Sequence, residues 1–147
     1  MTKHTTDQLQ DYIISLLTAH SGKSLEELSQ DNCSEISRLA AAWLLDHGVV
    51  APIYILKGTG PILGKQVDHD VLVAQIDEGL MIIDPTIWQF RPQEKDMLIL
   101  SVTGLNEAMS KLVQYYGGRW EISETIRSVS KQDVVAWLDV VNRNIAL

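Results

Sequence analysis

The stretch His69–Thr86 reads HDVLVAQIDEGLMIIDPT. Its first part, His69–Ile76, alternates loosely, with Val71, Val73 and Ile76 as candidates for one face, and is read as a β-strand. Asp77-Glu78-Gly79 is typical of a hairpin turn, because glycine accepts the positive φ that such turns require. The apolar run Leu80–Ile83 then returns. The stretch therefore predicts two antiparallel strands joined by a tight turn.

Two more strands and several helices are predicted around this hairpin. The strands are Pro52–Lys57 and Met97–Val102, and no element is predicted for Trp120–Val129. The predicted helices carry apolar residues at helical spacing: Thr6–His20, a helix that starts after the cap residues Asp31-Asn32 and ends before Gly48, Asn106–Tyr116, and a helix capped by Ser130. Thr5 with Gln8, and Ser24 with Glu27, resemble capping boxes. Helices, antiparallel strands and helices again predict one α+β domain over residues 1–147.

Composition excludes several classes of partner. The 147 residues carry a net charge of −7, from 12 basic and 19 acidic side chains, and the basic ones are scattered. Nucleic acid and anionic membranes are therefore not expected as partners. No apolar run is long enough to span a membrane. The N-terminal residues Met1–Thr6 lack the apolar core of a signal peptide. We expect a cytoplasmic protein, or one delivered by a secretion system that needs no signal peptide.

Cys33 is the single cysteine and cannot form an internal disulfide. It falls in the first turn of the predicted helix after Asn32. The thiolate is the nucleophilic form of cysteine, and the positive end of a helix dipole stabilises it. The alternative for a lone cysteine is a small buried apolar residue.

A nucleophilic cysteine needs a general base and a residue that orients it. His69 lies 36 residues after Cys33, and Asp84 follows 15 residues later. Asp68 and Asp70 flank the histidine, but side chains alternate along a strand, so both should point away from it. A three-residue turn pairs Asp84 with Leu72, about 10 Å along the strand from His69. The alternatives are a solvated histidine and an Asp-Pro turn.

Other chemistries fit less well. Asp68, His69, Asp70 and Asp84 could ligate a metal, but known metal sites have a more closed ligand pattern, so no metal or cofactor is predicted. The segment Gly58–Gln66 lacks the spacing of a phosphate-binding loop. Its glycines and proline predict an exposed, mobile loop that leads to His69.

Three segments together resemble the transglutaminase-like members of the papain-like superfamily. Asn32–Leu39 with Leu44–Ala51 is similar to their nucleophile helix, His69–Val73 to their histidine strand, and Ile83–Thr86 to their Asp-Pro-Thr segment. Gln89-Phe90 resembles an extension of small bacterial members. The resemblance covers about Asp31 to Phe90, less than half of the chain.

The resemblance implies a papain-like core, in which the nucleophile helix packs on a small antiparallel sheet, with extra C-terminal helices. It implies that Cys33 attacks, that His69 carries the proton and that Asp84 orients His69. The backbone N–H of Cys33 and a side chain upstream, Gln30 or Asn32, would bind the oxyanion.

Two positions depart from the family pattern. Val71 stands two residues after the histidine, where the family usually has an aromatic residue. Ser34 stands next to the cysteine, where the family often has an aromatic residue. Both departures concern the walls of the acyl pocket and the oxyanion hole.

The expected function is cysteine-dependent acyl transfer on a peptide or protein amide, as a protease, amidase, deamidase or transamidase. Similar domains occur as bacterial effectors or toxins, whose partner can be a neutralising protein. The alternative is a non-enzymatic, acidic protein-interaction module with a degenerate triad.

Overall fold

The computed structural model describes residues 2–19, 22–30, 32–77 and 79–146. Its helices and strands follow one another along the chain as α1 Thr2–Thr18, α2 Leu25–Gln30, α3 Cys33–Asp46, β1 Val50–Thr59, β2 Pro61–Ile62, β3 Lys65–Gln66, β4 His69–Ile76, β5 Gly79–Asp84, a 3₁₀ turn Ile87–Gln89, β6 Leu98–Val102, α4 Leu105–Tyr116, β7 Arg119–Ile126 and α5 Lys131–Ala146.

Five strands form one antiparallel sheet in the order β6-β5-β4-β1-β7. β4 lies at its centre, and every residue of β4 except Gln75 is buried. The predicted α+β class is therefore confirmed. No helix among the described residues is long and apolar enough to cross a membrane.

Three strand predictions lie close to the observed limits. β4 has the predicted limits, β5 is one residue longer than predicted at each end, and β6 begins one residue later than predicted. β1 is longer than predicted because it pairs with β4 on one side and β7 on the other. β7 was not predicted. It is an edge strand with mostly exposed residues, and a bulge opposite Ile55-Leu56 interrupts the short alternation of polar and apolar residues with which it begins.

The structure tests the two predicted capping boxes, at Thr5 and Ser24, and the predicted cap at Ser130. α1 begins at Thr2, so the capping box expected at Thr5 is wrong, and the predicted end at His20 lies outside the described residues. The box at Ser24 is confirmed: the Glu27 N–H donates to Ser24 Oγ at 3.3 Å, and the Ser24 N–H donates to Glu27 Oε1 at 3.3 Å. Ser130 Oγ accepts the Asp133 N–H at 3.1 Å, as its predicted capping role requires.

α3 carries Cys33 at its first residue and packs against β4, β1 and α5. Its buried face includes Ile36, Leu39, Ala40 and Leu44, each without exposed surface. Truncating one such leucine to alanine costs about 2–5 kcal/mol. This packing holds the start of α3 against the start of β4.

Asn32 precedes α3, but its side chain makes no capping hydrogen bond, so that expectation is wrong. The side chain is buried between α2 and α5 and serves them instead. Its Nδ2 donates to the Leu28 carbonyl at 2.6 Å, and its Oδ1 accepts from Asn144 at 3.0 Å. The other predicted cap residue, Asp31, lies outside the described residues.

The register of β4 and β5 differs from the predicted one by one residue. Leu72 pairs with Ile83 and Ile76 with Gly79, so two residues rather than three form the turn. The next position therefore sets Asp84 beside Val71, two residues from His69. A one-residue slip moves a side chain to the other face of a sheet. The observed register thus gives Asp84 the same face as His69, which the predicted register did not.

Candidate active site

Cys33 and His69 meet where the start of α3 crosses the start of β4. The Cys33 sulfur lies 3.1 Å from His69 Nδ1, within the distance expected for a catalytic pair without substrate. The backbone N–H of Asp70 also donates to this sulfur, at 3.2 Å. Cys33 as a residue is half-buried at this position.

Asp84 meets the other nitrogen of the imidazole. His69 Nε2 lies 2.7 Å from Asp84 Oδ2, and neither side chain has exposed surface. The sulfur, the ring and the carboxylate therefore form a continuous chain of polar contacts. In such a chain, a proton on Nε2 is held by the carboxylate while Nδ1 faces the thiol.

The buried carboxylate of Asp84 is satisfied at both oxygens. Oδ1 accepts the Thr86 N–H at 3.0 Å and the Thr86 hydroxyl at 3.4 Å. Oδ2 accepts from His69 and from the hydroxyl of Tyr116, the last residue of α4. A buried charge needs such partners. The turn Asp84-Pro85-Thr86 supplies two of them within three residues.

The two titratable neighbours of Asp84 respond to it differently. Burial lowers the pKa of His69, but the charges of Asp84 and Cys33 outweigh burial and hold that pKa well above its ordinary value of 6.5. Burial and the Asp84 carboxylate raise the pKa of Tyr116 well above its ordinary value of 10.0. The Asp84 carboxylate therefore favours the charged form of the imidazole and the neutral, donating form of the phenol.

Gln89 is a site residue that the residue-level analysis did not select. It lies at the end of the 3₁₀ turn, and its Nε2 is 3.4 Å from His69 Nδ1, the nitrogen that faces Cys33. Nε2 also donates to the Thr86 hydroxyl at 3.1 Å and to the Thr86 carbonyl at 3.3 Å. These bonds orient the amide beside the Cys33–His69 pair.

Gln30 and Asn32, the upstream candidates for an oxyanion donor, are placed differently. Gln30 is exposed at the end of α2. The Asn32 amide donates to Leu28 of α2. Within the described part of the chain, no hydrogen bond joins either side chain to Cys33 or His69, whereas Gln89 lies against His69.

Three aromatic rings surround the imidazole. The ring centres of Phe90, Tyr116 and Trp120 lie 4.8, 5.5 and 6.3 Å from that of His69. We call Phe90, Tyr116 and Trp120 the aromatic side of His69, and Cys33, Asp84 and Gln89 its polar side. The two positions where the resemblance led us to expect aromatic residues hold Val71, which is buried, and Ser34, whose hydroxyl accepts from Arg38 at 2.7 Å. The rings here come from other parts of the chain.

Close backbone approaches hold Trp120 in place. A Cβ atom at Gly58 would lie 2.6 Å from the Trp120 ring, so this strand position has room only for glycine. Gly117 and Gly118 both have positive φ and turn the chain from α4 into β7. The indole N–H of Trp120 donates to the Gly117 carbonyl at 2.8 Å. The glycine pair between two aromatic residues is the sequence signal that could have marked this segment.

The segment Gly58–Gln66 is exposed in part, at Pro61 and from Gly64 to Gln66, but it is not the loop that was predicted. Gly58 and Thr59 belong to β1, and β2 and β3 form a small hairpin in which Ile62 is buried. The hairpin packs on the site: Lys65 Nζ donates to the Gln89 carbonyl at 2.8 Å, and the Leu63 N–H donates to the Tyr116 carbonyl at 2.7 Å. The predicted mobility stays a prediction.

An ion-pair network links α3 to β4 and β7 beside the nucleophile. The Arg38 guanidinium lies 3.1 Å from Asp70 Oδ2 and 3.0 Å from Glu124 Oε1. Asp70 is therefore engaged with Arg38, and Asp84 is the carboxylate on His69. Among the described residues, no group of three or more His, Cys, Asp and Glu side chains is arranged to hold a metal ion.

Cavity volume does not locate this site. A cavity of about 650 Å³ lies between the end of α3 and the start of α5, with Leu45, Ser130 and Val134 in its lining, and does not include Cys33. A smaller one, about 310 Å³, lies beside Trp120, with Thr59 and Arg119. The side-chain geometry around His69 identifies the site.

Comparison with models of protein families, with curated proteins and with solved structures finds no match for this chain.

Proposed function

We propose that the protein is a cysteine-dependent acyl-transfer enzyme that acts on a peptide or protein amide. The observation that carries the proposal is the relay from a half-buried sulfur to a buried carboxylate, with contacts of 3.1 Å from Cys33 to His69 and 2.7 Å from His69 to Asp84. A cysteine kept only for packing has no need of a buried imidazole on its sulfur and a carboxylate behind that imidazole.

The first half of the reaction forms a thioester. The Cys33 thiolate attacks the carbonyl carbon of the amide, while the proton stays on His69. The carbonyl oxygen becomes an oxyanion, which the N–H of Cys33 at the start of α3 and the Gln89 amide can bind. As the C–N bond breaks, His69 donates its Nδ1 proton to the leaving amine.

The second half regenerates the enzyme. Water or an amine attacks the thioester carbonyl, and neutral His69 accepts its proton at Nδ1. The tetrahedral intermediate collapses and releases an acid or a new amide, with Cys33 again a thiolate. Asp84 stabilises the imidazolium in both halves. Water gives hydrolysis or deamidation, and an amine gives transamidation.

The proposal also includes a papain-like core and a biological role. The start of α3 packed against the central strand of an antiparallel sheet, with the order Cys, His, Asp, supports a papain-like, transglutaminase-like core. A role as a bacterial effector, with a neutralising partner protein, follows from the resemblance alone.

The test compares the wild type with Cys33→Ala and with glutathione as a free thiol. Iodoacetamide at pH 6 should alkylate Cys33 far faster than glutathione, since a thiol without a charged partner is protonated at that pH. Intact mass spectrometry after treatment with p-nitrophenyl acetate should show one acetyl group on the wild type and none on Cys33→Ala. Ordinary thiol reactivity and no acetyl-enzyme would favour the interaction module.

A further inference from the structure

We infer that Tyr116 is a positioning residue for the reaction: its hydroxyl shares Asp84 Oδ2 with His69, and so fixes the carboxylate and moderates its hold on the imidazolium. The inference rests on the proposed function, because it concerns the same relay. Tyr116 lies outside the segments that carry the family resemblance, at the C-terminal end of α4.

The geometry leaves the carboxylate one orientation. Thr86 binds Oδ1, while His69 and Tyr116 both bind Oδ2. His69, Asp84 and Tyr116 are 1%, 0% and 2% exposed, so solvent does not compete for these contacts. A hydrogen bond to a charged group in such surroundings is stronger than one in water. The hydroxyl is thus a fixed part of the relay.

The hydroxyl and the imidazolium compete for the charge of one oxygen. A donor on Oδ2 draws off part of the negative charge that stabilises protonated His69. Without that donor, Asp84 would hold the proton of His69 more firmly, and His69 would give it less readily to a leaving group. Tyr116 therefore keeps His69 useful as both acid and base.

Besides Asp84, few charged groups act on His69 and Tyr116. Among the described residues, His69 is influenced by Asp84 of β5 and Cys33 of α3. Tyr116 is influenced by those two and by Tyr115 of α4. Lys65 of β3 lies 5.7 Å from the centre of the Phe90 ring, and Phe90 in turn contacts Tyr116. Replacing Cys33 by serine removes the thiol titration and isolates the pair.

The first test is an NMR titration of His69 in the Cys33→Ser protein, with the signal assigned by His69→Gln. Adding Tyr116→Phe removes the hydroxyl and keeps the ring. We expect the His69 titration to shift to higher pH. Adding Tyr115→Phe makes the same change one residue away and should leave the titration in place. No shift, or a shift to lower pH, would overturn the inference.

The second test follows release of p-nitrophenolate from p-nitrophenyl acetate by proteins that retain Cys33. The thiolate attacks the ester carbonyl, the C–O bond breaks, and p-nitrophenolate leaves with the electron pair. Water then hydrolyses the acetyl thioester and leaves its proton on His69. Turnover at pH 7 should fall on the order of tenfold in Tyr116→Phe, the scale of a hydrogen bond to a charge. Tyr115→Phe should match the wild type.

The two possible failures are distinguishable. If release by the wild type does not exceed that by Cys33→Ala, the proposed function fails, and the titration still tests Tyr116. If the wild type turns over and Tyr116→Phe matches Tyr115→Phe in both tests, the Tyr116 inference fails alone.

A labelled protein covers the case in which Tyr116→Phe does not fold. The chain has four tyrosines, so ¹³Cζ labelling gives four signals. The Tyr116 signal should move as His69 titrates, since both groups bind one oxygen, and the signal that Tyr115→Phe removes should not. A Tyr116 signal that stays still through the His69 titration would overturn the inference.

Discussion

The polar and aromatic sides of His69 act on its charge in opposite directions. The aromatic side buries the imidazole, and burial alone would lower its pKa and leave the ring neutral. The polar side presents a carboxylate at 2.7 Å and a sulfur at 3.1 Å, and their attraction prevails. The aromatic rings exclude water and so strengthen the charge interactions within the site. Tyr116 belongs to both sides, through its ring and its hydroxyl.

The largest effect should follow from removing the nucleophile. Cys33→Ala should abolish turnover of p-nitrophenyl acetate, because the thioester route disappears. The packing cost should be small, about 1 kcal/mol or less, since one half-buried sulfur is lost. His69→Ala should be nearly as severe. Turnover and a thermal melting curve, measured side by side, separate chemistry from folding.

A large loss of stability in Cys33→Ala, without any activity in the wild type, would contradict a catalytic role for the polar side. If Cys33→Ala melts many degrees lower than the wild type, and the wild type is not acetylated, then Cys33 is a structural residue. Cys33→Ser, of similar size, shows whether a melting loss comes from lost volume or from the lost sulfur.

Gln89→Ala should lower turnover of p-nitrophenyl acetate by roughly 10²–10³, the usual cost of one oxyanion donor. Alkylation of Cys33 by iodoacetamide should hardly change, because alkylation forms no oxyanion. Gln30→Ala is the matched control, since it truncates an exposed glutamine upstream of Cys33. If Gln30→Ala proves the more damaging variant, the upstream donor expected from the resemblance is the right one.

Asp84→Asn should lower turnover less than His69→Ala does, because an amide oxygen can still hold the imidazole, as in papain-like enzymes with asparagine there. Its stability should fall by about 1–3 kcal/mol. With the amide oxygen toward His69 and Tyr116, the amide NH₂ faces the Thr86 N–H, and two donors meet. Urea unfolding gives the stability change. A variant as inactive as His69→Ala would mean that the charge of Asp84, rather than its orientation of the ring, is required.

Most of the polar side was predictable, because Cys33 and Asp84, like His69 itself, stand at the ends of elements with strong patterns. Cys33 begins an amphipathic helix, and His69 and Asp84 bound a hairpin. The one-residue error in register came from the turn, where Asp77-Glu78-Gly79 allows loops of two or three residues. Gln89 was visible only through the resemblance, since a 3₁₀ turn has no periodicity to reveal its orientation.

The aromatic side was not predictable in the same way. Trp120 lies on a mostly exposed edge strand, in which a bulge interrupts the alternation after a few residues. Tyr116 looks like an ordinary apolar position of α4, and its bond to Asp84 joins residues 32 positions apart. Tertiary packing alone creates these contacts, and local patterns do not report it.

The smallest effect, and the most direct measure of the balance between the two sides, is the pH dependence of stability. Folded His69 has a pKa well above 6.5, and the unfolded chain has the ordinary value. Folding therefore binds this proton more tightly. The resulting stabilisation is complete below about pH 6.5 and is lost as the pH rises through the raised, folded-state pKa.

A pair of variants isolates the pH dependence of the free energy of unfolding that His69 contributes. The free energy of unfolding is measured from pH 6 to 9 for Cys33→Ser and for Cys33→Ser/His69→Gln, so that no thiol titrates. The difference between the two should decline with rising pH, by no more than about 1.4 kcal/mol per pH unit, the limit for one proton. His47→Gln, at an exposed histidine at the end of α3, is the matched control and should leave the slope in place. A difference that stays flat or grows with pH would mean that, without the Cys33 sulfur, burial by the aromatic side prevails over Asp84 and leaves folded His69 neutral.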